Sequence, residues 1–576
     1  MNKKLKLLII LFILLMIPTG CVASRNEQTR FDDYTLNQFL NRSSQDTMTL
    51  HFTLSSPDVY GLDEMKQTLG ELSVEAFNKQ TNELQTAYEE LKSFNTSLLT
   101  NVQKRDYRIY EDYLELEIKQ SSNQTFNYLF TPDGLIHILS TNFLEYRFNS
   151  EEDVENYLFL LSDIQRYLNS AMKYTHKQAL TGIFISDFIL DQTIETCHEF
   201  LNKGDMHPLL LSFEEKISHL NLNKDKAYQY IDENRRIMNE VVTPVIDSIT
   251  LQLNEMKGSS QYQRVGMARI PTGREAYALM VQQRTGLKDT PIDIFNDLNK
   301  AMVTLLAEMS NLLNDNPNLS LEGNKLQIDT NPVLLLNQLK LNSSDTFPSI
   351  PEVTFNVEMM DESMASDRVL AYFMPPPIDD IYENAIKVNA RSLKDDPLQL
   401  YNTLAHEGYP GHLYQNTYFM NHYTTPLRTS LNYLGYVEGW AKFIENEMLN
   451  YIPFDSDSSR ELAQLNANYG YYLQSACDLG VNDQGWNIDE LAKYLSNYGV
   501  NDKLAVQQIY DSVIAHPSSI LPYGVGAMKM EELKQRVQFQ LKDKYIAKEF
   551  YQVVLDCGPA PFFIVEEDIN AYLNKK

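Results

Sequence analysis

The sequence predicts a mainly α protein with a small β-sheet next to the helix that ends near His406. Two observations carry this: apolar side chains recur at helical spacing through most of the chain, whereas strict two-residue alternation is confined to one short region. Hydrophobic residues make up 43% of the chain, with 35 tyrosines and 26 phenylalanines, enough for a large packed interior and unlike the composition of a disordered protein.

At the N-terminus, Lys3, Lys4 and Lys6 precede an unbroken apolar run from Leu7 to Ile17, followed by Pro18, Thr19, Gly20 and Cys21. This is the layout of a signal peptide, here residues 1–20, and its apolar run falls short of the about 20 residues a membrane-crossing helix needs. The small residues before Cys21 resemble a bacterial lipoprotein processing site, although Pro18 stands where that pattern usually has leucine. Cys21 is therefore expected to be acylated, with residues 21–30 as a linker and the mature protein anchored at the extracellular face of the bacterial membrane. The remaining cysteines, Cys197, Cys477 and Cys557, are odd in number and widely spaced, which indicates buried free thiols rather than a disulfide framework. A net charge of -28 excludes nucleic acid as a partner, since phosphate binding needs a concentrated basic surface.

From Phe31 to about Leu253 one amphipathic helical pattern follows another. Leu158, Leu161, Ile164, Tyr167 and Leu168, for example, fall on one side of a helix around residues 152–173. Gly258, Ser259 and Ser260 break the pattern and set an expected boundary between an N-terminal helical lobe, 31–255, and a C-terminal lobe, 256–576. A second helical block runs from Gly273 to about Leu313, and polar, Asn-rich stretches near 314–325 and 341–350 read as loops. Apolar and polar residues then alternate from Val353 to Met359, and a short apolar run covers Val369 to Met374 before Pro375, Pro376 and Pro377 end it, which predicts two strands. Asp396 is placed to cap a helix that starts at Pro397 and buries Leu398, Tyr401, Leu404 and Ala405.

That helix carries His406 and Glu407 in its last turns, in the run His406, Glu407, Gly408, Tyr409, Pro410, Gly411, His412. In the H-E-x-x-H zinc motif the histidines stand at i and i+4 on one helix face, with the glutamate beside the metal as base. Here the spacing is i and i+6, about 240° around a regular helix. Pro410 and Gly411 must bend or loop the chain, and such an extrusion would allow His412 to return to the metal face. By spacing alone two unrelated histidines explain the run better than a metal site does. A catalytic zinc takes three protein ligands, and the third candidate is Glu438, in the helical stripe of Trp440, Ala441, Ile444 and Met448. Glu438 would otherwise pair with Lys442 at i+4 on a solvated face, and Glu445, two turns on, would orient a ligand or lie on the surface. His422 and His516 are backup ligands, and His516 is also a candidate substrate contact.

These segments resemble the bacterial domain-of-unknown-function family 885, itself similar to gluzincin metallopeptidases of the thermolysin clan. The matching runs are Gly273 to Gly286, Tyr372 to Asp379, Thr403 to His412, Tyr436 to Ala441, Gly480 to Trp486 and Pro522 to Gly526, in the same order and over nearly the whole mature chain. The resemblance implies a large helical zinc-peptidase-like scaffold around a groove, with His406, His412 and Glu438 holding one zinc ion, Glu407 as general base and Tyr523 as oxyanion donor. Where the family usually has a histidine this chain has Asn482, which donates a hydrogen bond but does not titrate.

The function expected from these readings is hydrolysis of peptide bonds, in short peptides rather than folded proteins, with a strand edge at 353–359 or 369–374 available to align the substrate. The rival is a non-catalytic surface lipoprotein that binds peptides or another solute. Glu407 separates the two, because a binder has no need of a base beside its metal histidines.

Overall fold

The computed structural model describes residues 24–62, 65–121, 123–319, 328–360, 370–389 and 396–576. The signal segment and Cys21 lie outside the described residues. Within them the protein is mainly helical, with a single three-stranded sheet.

In the N-terminal half, α1 (Asn101–Ser121) and α2 (Glu151–Ala179) are long amphipathic helices. A capping box starts α2: the Ser150 side chain accepts from Asp153 N–H, and the Asp153 carboxylate accepts from Ser150 N–H. The predicted stripe is buried through Leu158, Leu161, Ile164 and Leu168, with Tyr167 half-buried at its margin. Gly258, in the predicted break, follows a helix ending at Glu255 and takes a φ of 81°. The second helical block is two helices, α3 (Gly273–Thr285) and α4 (Pro291–Asp315), separated by Gly286 in the left-handed conformation that closes α3. A helix the pattern analysis passed over, α5 (Pro332–Ser343), follows; Asn331 caps it by accepting from Val333 and Leu334 N–H, and it takes in the start of the stretch read as loop from 341.

The sheet contains β1 (Thr354–Met359), β2 (Ala371–Met374) and β3 (Glu383–Val388) in the order β1-β3-β2. Both predicted strands form, though not as each other's partners; Val369, at the start of the second run, lies outside the described residues. The central β3, which the sequence analysis missed, runs parallel to β1 and antiparallel to β2. Its alternation is real, with Asn384, Ile386 and Val388 buried, but it is short and opens on Glu and Asn, residues depleted in strands.

The C-terminal elements around the sheet are α6 (Pro397–Glu407), α7 (His412–Met420), α8 (Leu434–Met448), α9 (Asp457–Asn482) and α10 (Leu521–Leu541). Asp396 caps α6 as expected, accepting from Leu398 and Gln399 N–H. The α8 and α10 helices cross at Gly439 and Gly526, so close that a Cβ on Gly439 would sit 2.6 Å from the Gly526 carbonyl carbon. One continuous cluster of buried apolar side chains runs through both halves of the chain. A buried ion pair ties the halves as well: Arg428 meets Asp106 of α1 at 2.8 Å and also donates to the carbonyls of Cys557 and Pro559.

Candidate metal centre

The i and i+6 histidine spacing works because the helix stops between them. Glu407 ends α6, Gly408 to Gly411 turn the chain, and His412 begins α7. Gly411 lies against the end of α6, where a Cβ would collide with the carbonyl oxygens of His406 and Ala405, so only glycine permits this return. The turn is pinned from the other side by Trp440 of α8, whose indole N–H donates to the Pro410 carbonyl at 3.0 Å. The two imidazoles come together with ring centroids 4.6 Å apart.

Glu438, on α8, meets both rings. Its Oε2 lies 3.3 Å from His406 Nε2 and 3.3 Å from His412 Nε2, yet has hydrogen-bond geometry with neither and is buried without a partner. One ligand atom from each of the three residues lies within 4.8 Å of the others. Two donors at about 2.0–2.1 Å from a tetrahedral ion stand roughly 3.3 Å apart, so these contacts have the spacing of ligands around one cation. An orphaned carboxylate oxygen between two ring nitrogens is also the polar atom a metal would satisfy. His406, His412 and Glu438 therefore fit a divalent ion, and a set of two imidazoles and one carboxylate suits zinc.

A second layer orients His406. Its Nδ1 lies 2.8 Å from Glu445 Oε1, and since a carboxylate only accepts, Nδ1 carries a proton and it is Nε2 that faces the cluster. Glu445 Oε2 in turn takes a 2.6 Å bond from Lys442, which leaves Lys442 bound to Glu445 and not to Glu438. Burial opposes charge on His406, but the surrounding carboxylates of Glu438, Glu445 and Glu407 outweigh it and raise the ring to about 10. Burial likewise opposes ionisation of Glu438, and the two imidazoles reverse this, holding its carboxyl well below the usual range. Such a field favours a cation.

Glu407 stands beside the cluster with Oε2 accepting from Phe373 N–H of β2 at 2.8 Å. Burial pushes its carboxyl above the usual range despite the nearby histidines. No sequence signal identified this backbone contact, since it depends on where β2 lies, not on any side chain. Tyr523, in the first turn of α10, stacks on His406 with ring centroids 6.1 Å apart. Burial, then the charges of Glu438 and Glu407, push its hydroxyl far above the ordinary tyrosine range. It sits there because Gly526, one turn later, packs on Gly439, next to Glu438.

The sequence model of a family described as bacterial protein of unknown function, DUF885, matches residues 58–569. The chain belongs to the DUF885 family. Two solved structures are similar to this DUF885 chain. One, a candidate lipoprotein from Colwellia psychrerythraea, is 17% identical with a TM-score of 0.83, covering 96% of this chain and 100% of its own. The other, a candidate lipoprotein of unknown function from Shewanella oneidensis, is 14% identical with a TM-score of 0.64, covering 94% of this chain and 99% of its own. At such identities they share the fold. No curated protein matches the chain.

The other candidates in the DUF885 chain lie apart from the cluster. His422 stacks on Tyr418 and bonds its carbonyl, and His516 pairs with Asp133 at 3.2 Å. Asn482 is fully buried: its Oδ1 accepts from Met267 N–H while its Nδ2 donates to Asp478 and to the Val513 carbonyl. It locks α9 to the segment before α3, a task its amide performs with both ends. A cavity of about 1270 Å³ opens among the N-terminal helices, lined by residues including Arg42, Glu90, Tyr113 and Glu117, with none of the cluster residues in its wall. A smaller one of about 370 Å³ shares Glu117 and reaches Ala276, Leu279 and Met280 of α3.

Proposed function

We propose that this protein is a lipid-anchored zinc peptidase of the gluzincin kind, hydrolysing peptide bonds in short peptides outside the cell. The observation that carries the reading is the buried Glu438 Oε2, equidistant from His406 Nε2 and His412 Nε2 without a hydrogen bond, with the carboxylate of Glu407 beside it. Export and anchoring rest on the signal layout ending at Cys21, and the candidate lipoproteins that share the fold support them.

Held by His406, His412 and Glu438, a zinc ion would supply a Lewis acid able to polarise a peptide carbonyl and acidify water. The chain's own residues do the rest. Glu407, aimed by Phe373 N–H, takes the proton of the attacking water and returns it to the leaving amine. The Tyr523 hydroxyl, kept protonated by its surroundings, donates to the oxyanion that develops on the carbonyl. Glu445 and Lys442 keep His406 in one tautomer and orientation.

The test is hydrolysis of a mixed peptide library by the mature protein and by Glu407→Gln. Cleavage by the wild type, its loss in the variant by about 100-fold or more, and metal retained in both are the expected result. Absence of cleavage by metal-loaded wild type would replace this reading with that of a peptide- or solute-binding lipoprotein.

A further inference from the structure

Tyr471, on α9, lies beside the metal cluster and has no part in the chemistry above. Its ring is packed from two sides. On one it meets Tyr523, with ring centroids 6.2 Å apart and planes 34° from parallel, and the Tyr523 ring in turn stacks on His406. On the other, the Lys442 ammonium lies 4.2 Å from the ring centroid, and Lys442 bonds Glu445, which holds His406 Nδ1. Both routes of direct contact therefore return to His406. The backbones agree: Gly524, the residue after Tyr523, is so close to α9 that a Cβ would sit 2.8 Å from the Tyr471 carbonyl oxygen. Side chains that leave touching backbones and keep their rings this close run alongside each other and bring their hydroxyls to the same end. The Tyr471 hydroxyl is also free. Tyr401, Tyr414 and Tyr436, core residues of α6, α7 and α8, each donate to a backbone carbonyl, as expected of a buried phenol. Tyr471 is half-buried, and its hydroxyl makes no hydrogen bond among the described residues and stays open to solvent.

We propose that Tyr471 is a substrate-binding residue that donates a hydrogen bond to a backbone carbonyl of the bound peptide, two residues along from the carbonyl served by Tyr523. Resting on the peptidase reading of the cluster, this gives the site a preference for peptides long enough to reach both hydroxyls. In an extended chain, carbonyls two residues apart point to the same edge about 6.6 Å from each other, close to the 6.2 Å between the two rings. Two hydroxyls share one oxygen atom only when they stand within about 5.4 Å, twice the length of an O–H···O bond, so near-parallel rings at this spacing suit separate carbonyls. Lys442 covers a face of the Tyr471 ring and leaves the hydroxyl at its edge for the substrate. A hydrogen bond to a carbonyl that does not react is as strong in the ground state as in the transition state, and it therefore acts on KM and not on kcat.

Tyr471→Phe keeps the ring against Tyr523 and beside Lys442 and removes only the oxygen, so a packing role would not register. Calorimetry with penta-alanine compares zinc-loaded Glu407→Gln with zinc-loaded Glu407→Gln/Tyr471→Phe. Affinity is expected to fall about 3–10-fold, with zinc content and thermal midpoint unchanged. In the otherwise wild-type enzyme the same substitution is expected to raise KM for penta-alanine by a similar factor at constant kcat. Unchanged affinity, binding by neither protein, or a loss accompanied by lost zinc or stability overturns the proposal. So does a fall in kcat at constant KM, the mark of an oxyanion donor. Hydrolysis separates the two claims. Cleavage of penta-alanine that Tyr471→Phe leaves untouched rejects the tyrosine and keeps the peptidase; Tyr471-dependent binding without any cleavage keeps the tyrosine and rejects the peptidase.

Discussion

The nitrogen of His406 that faces away from the cluster decides how well the other one can bind. Glu445 holds that Nδ1 at 2.8 Å, and Lys442 holds Glu445 at 2.6 Å, all three buried. Glu445→Gln keeps a hydrogen-bond acceptor but removes the charge and strands the Lys442 ammonium; zinc affinity is expected to fall by about 10–100-fold, measured by competition with a chromogenic chelator, with the circular dichroism spectrum unchanged. At this scale the sequence was informative wherever a motif fixed residue type and spacing together. His406, Glu407, His412, Glu438 and Tyr523 are all brought to one place. What it left open was pairing: on a helix Lys442 can reach back to Glu438 or forward to Glu445, and only the tertiary position of His406, on another helix, selects the forward partner. Asn482 illustrates the converse, a position prominent in the motif whose amide satisfies three partners, none of them a cluster residue.

Helices and strands aim these residues through contacts that admit no side chain. The crossing of α8 and α10 at Gly439 and Gly526 sets the distance from Glu438 to Tyr523, since each glycine adjoins or lies one turn from the residue it positions. Gly439→Ala places a methyl against the Gly526 backbone, and the helices must separate; a loss of about 1–3 kcal/mol is expected in urea unfolding, accompanied by weaker metal retention. A variant as stable as the wild type would show that the crossing is not tight. Long helices with caps, such as α2 and α6, were readable because local signals and the burial stripe agree. The central strand β3 and the helix α5 were not, although Asn331 followed by Pro332 is a usable start signal for α5. The order β1-β3-β2 follows from long-range pairing across residues 354–388, which periodicity cannot reveal, and it leaves β2 at an edge with Phe373 N–H free to hold Glu407.

For the whole molecule, one apolar core and a few buried polar ties hold the metal-bearing helices against the N-terminal helices. The Arg428 and Asp106 pair is the plainest, with side chains 3% and 4% exposed. Asp106→Ala leaves the guanidinium buried without its carboxylate, and about 3–5 kcal/mol of stability is expected to be lost, read as a lower denaturant midpoint. A change within experimental error would mean that the carbonyls of Cys557 and Pro559 suffice. Helical class and the C-terminal location of the cluster could be read from pattern and motif, but the tie between residues 322 positions apart could not, because neither residue carries a periodic signal that names its partner. The central claim concerns the cluster itself, and zinc content is its most direct measure: the purified mature protein, its His406→Ala variant and its Glu438→Ala variant would be analysed by elemental mass spectrometry after dialysis against a weak chelator. Stoichiometric zinc in the wild type and its loss in both variants is the predicted result; a wild type without metal, or variants that retain it, would contradict the account.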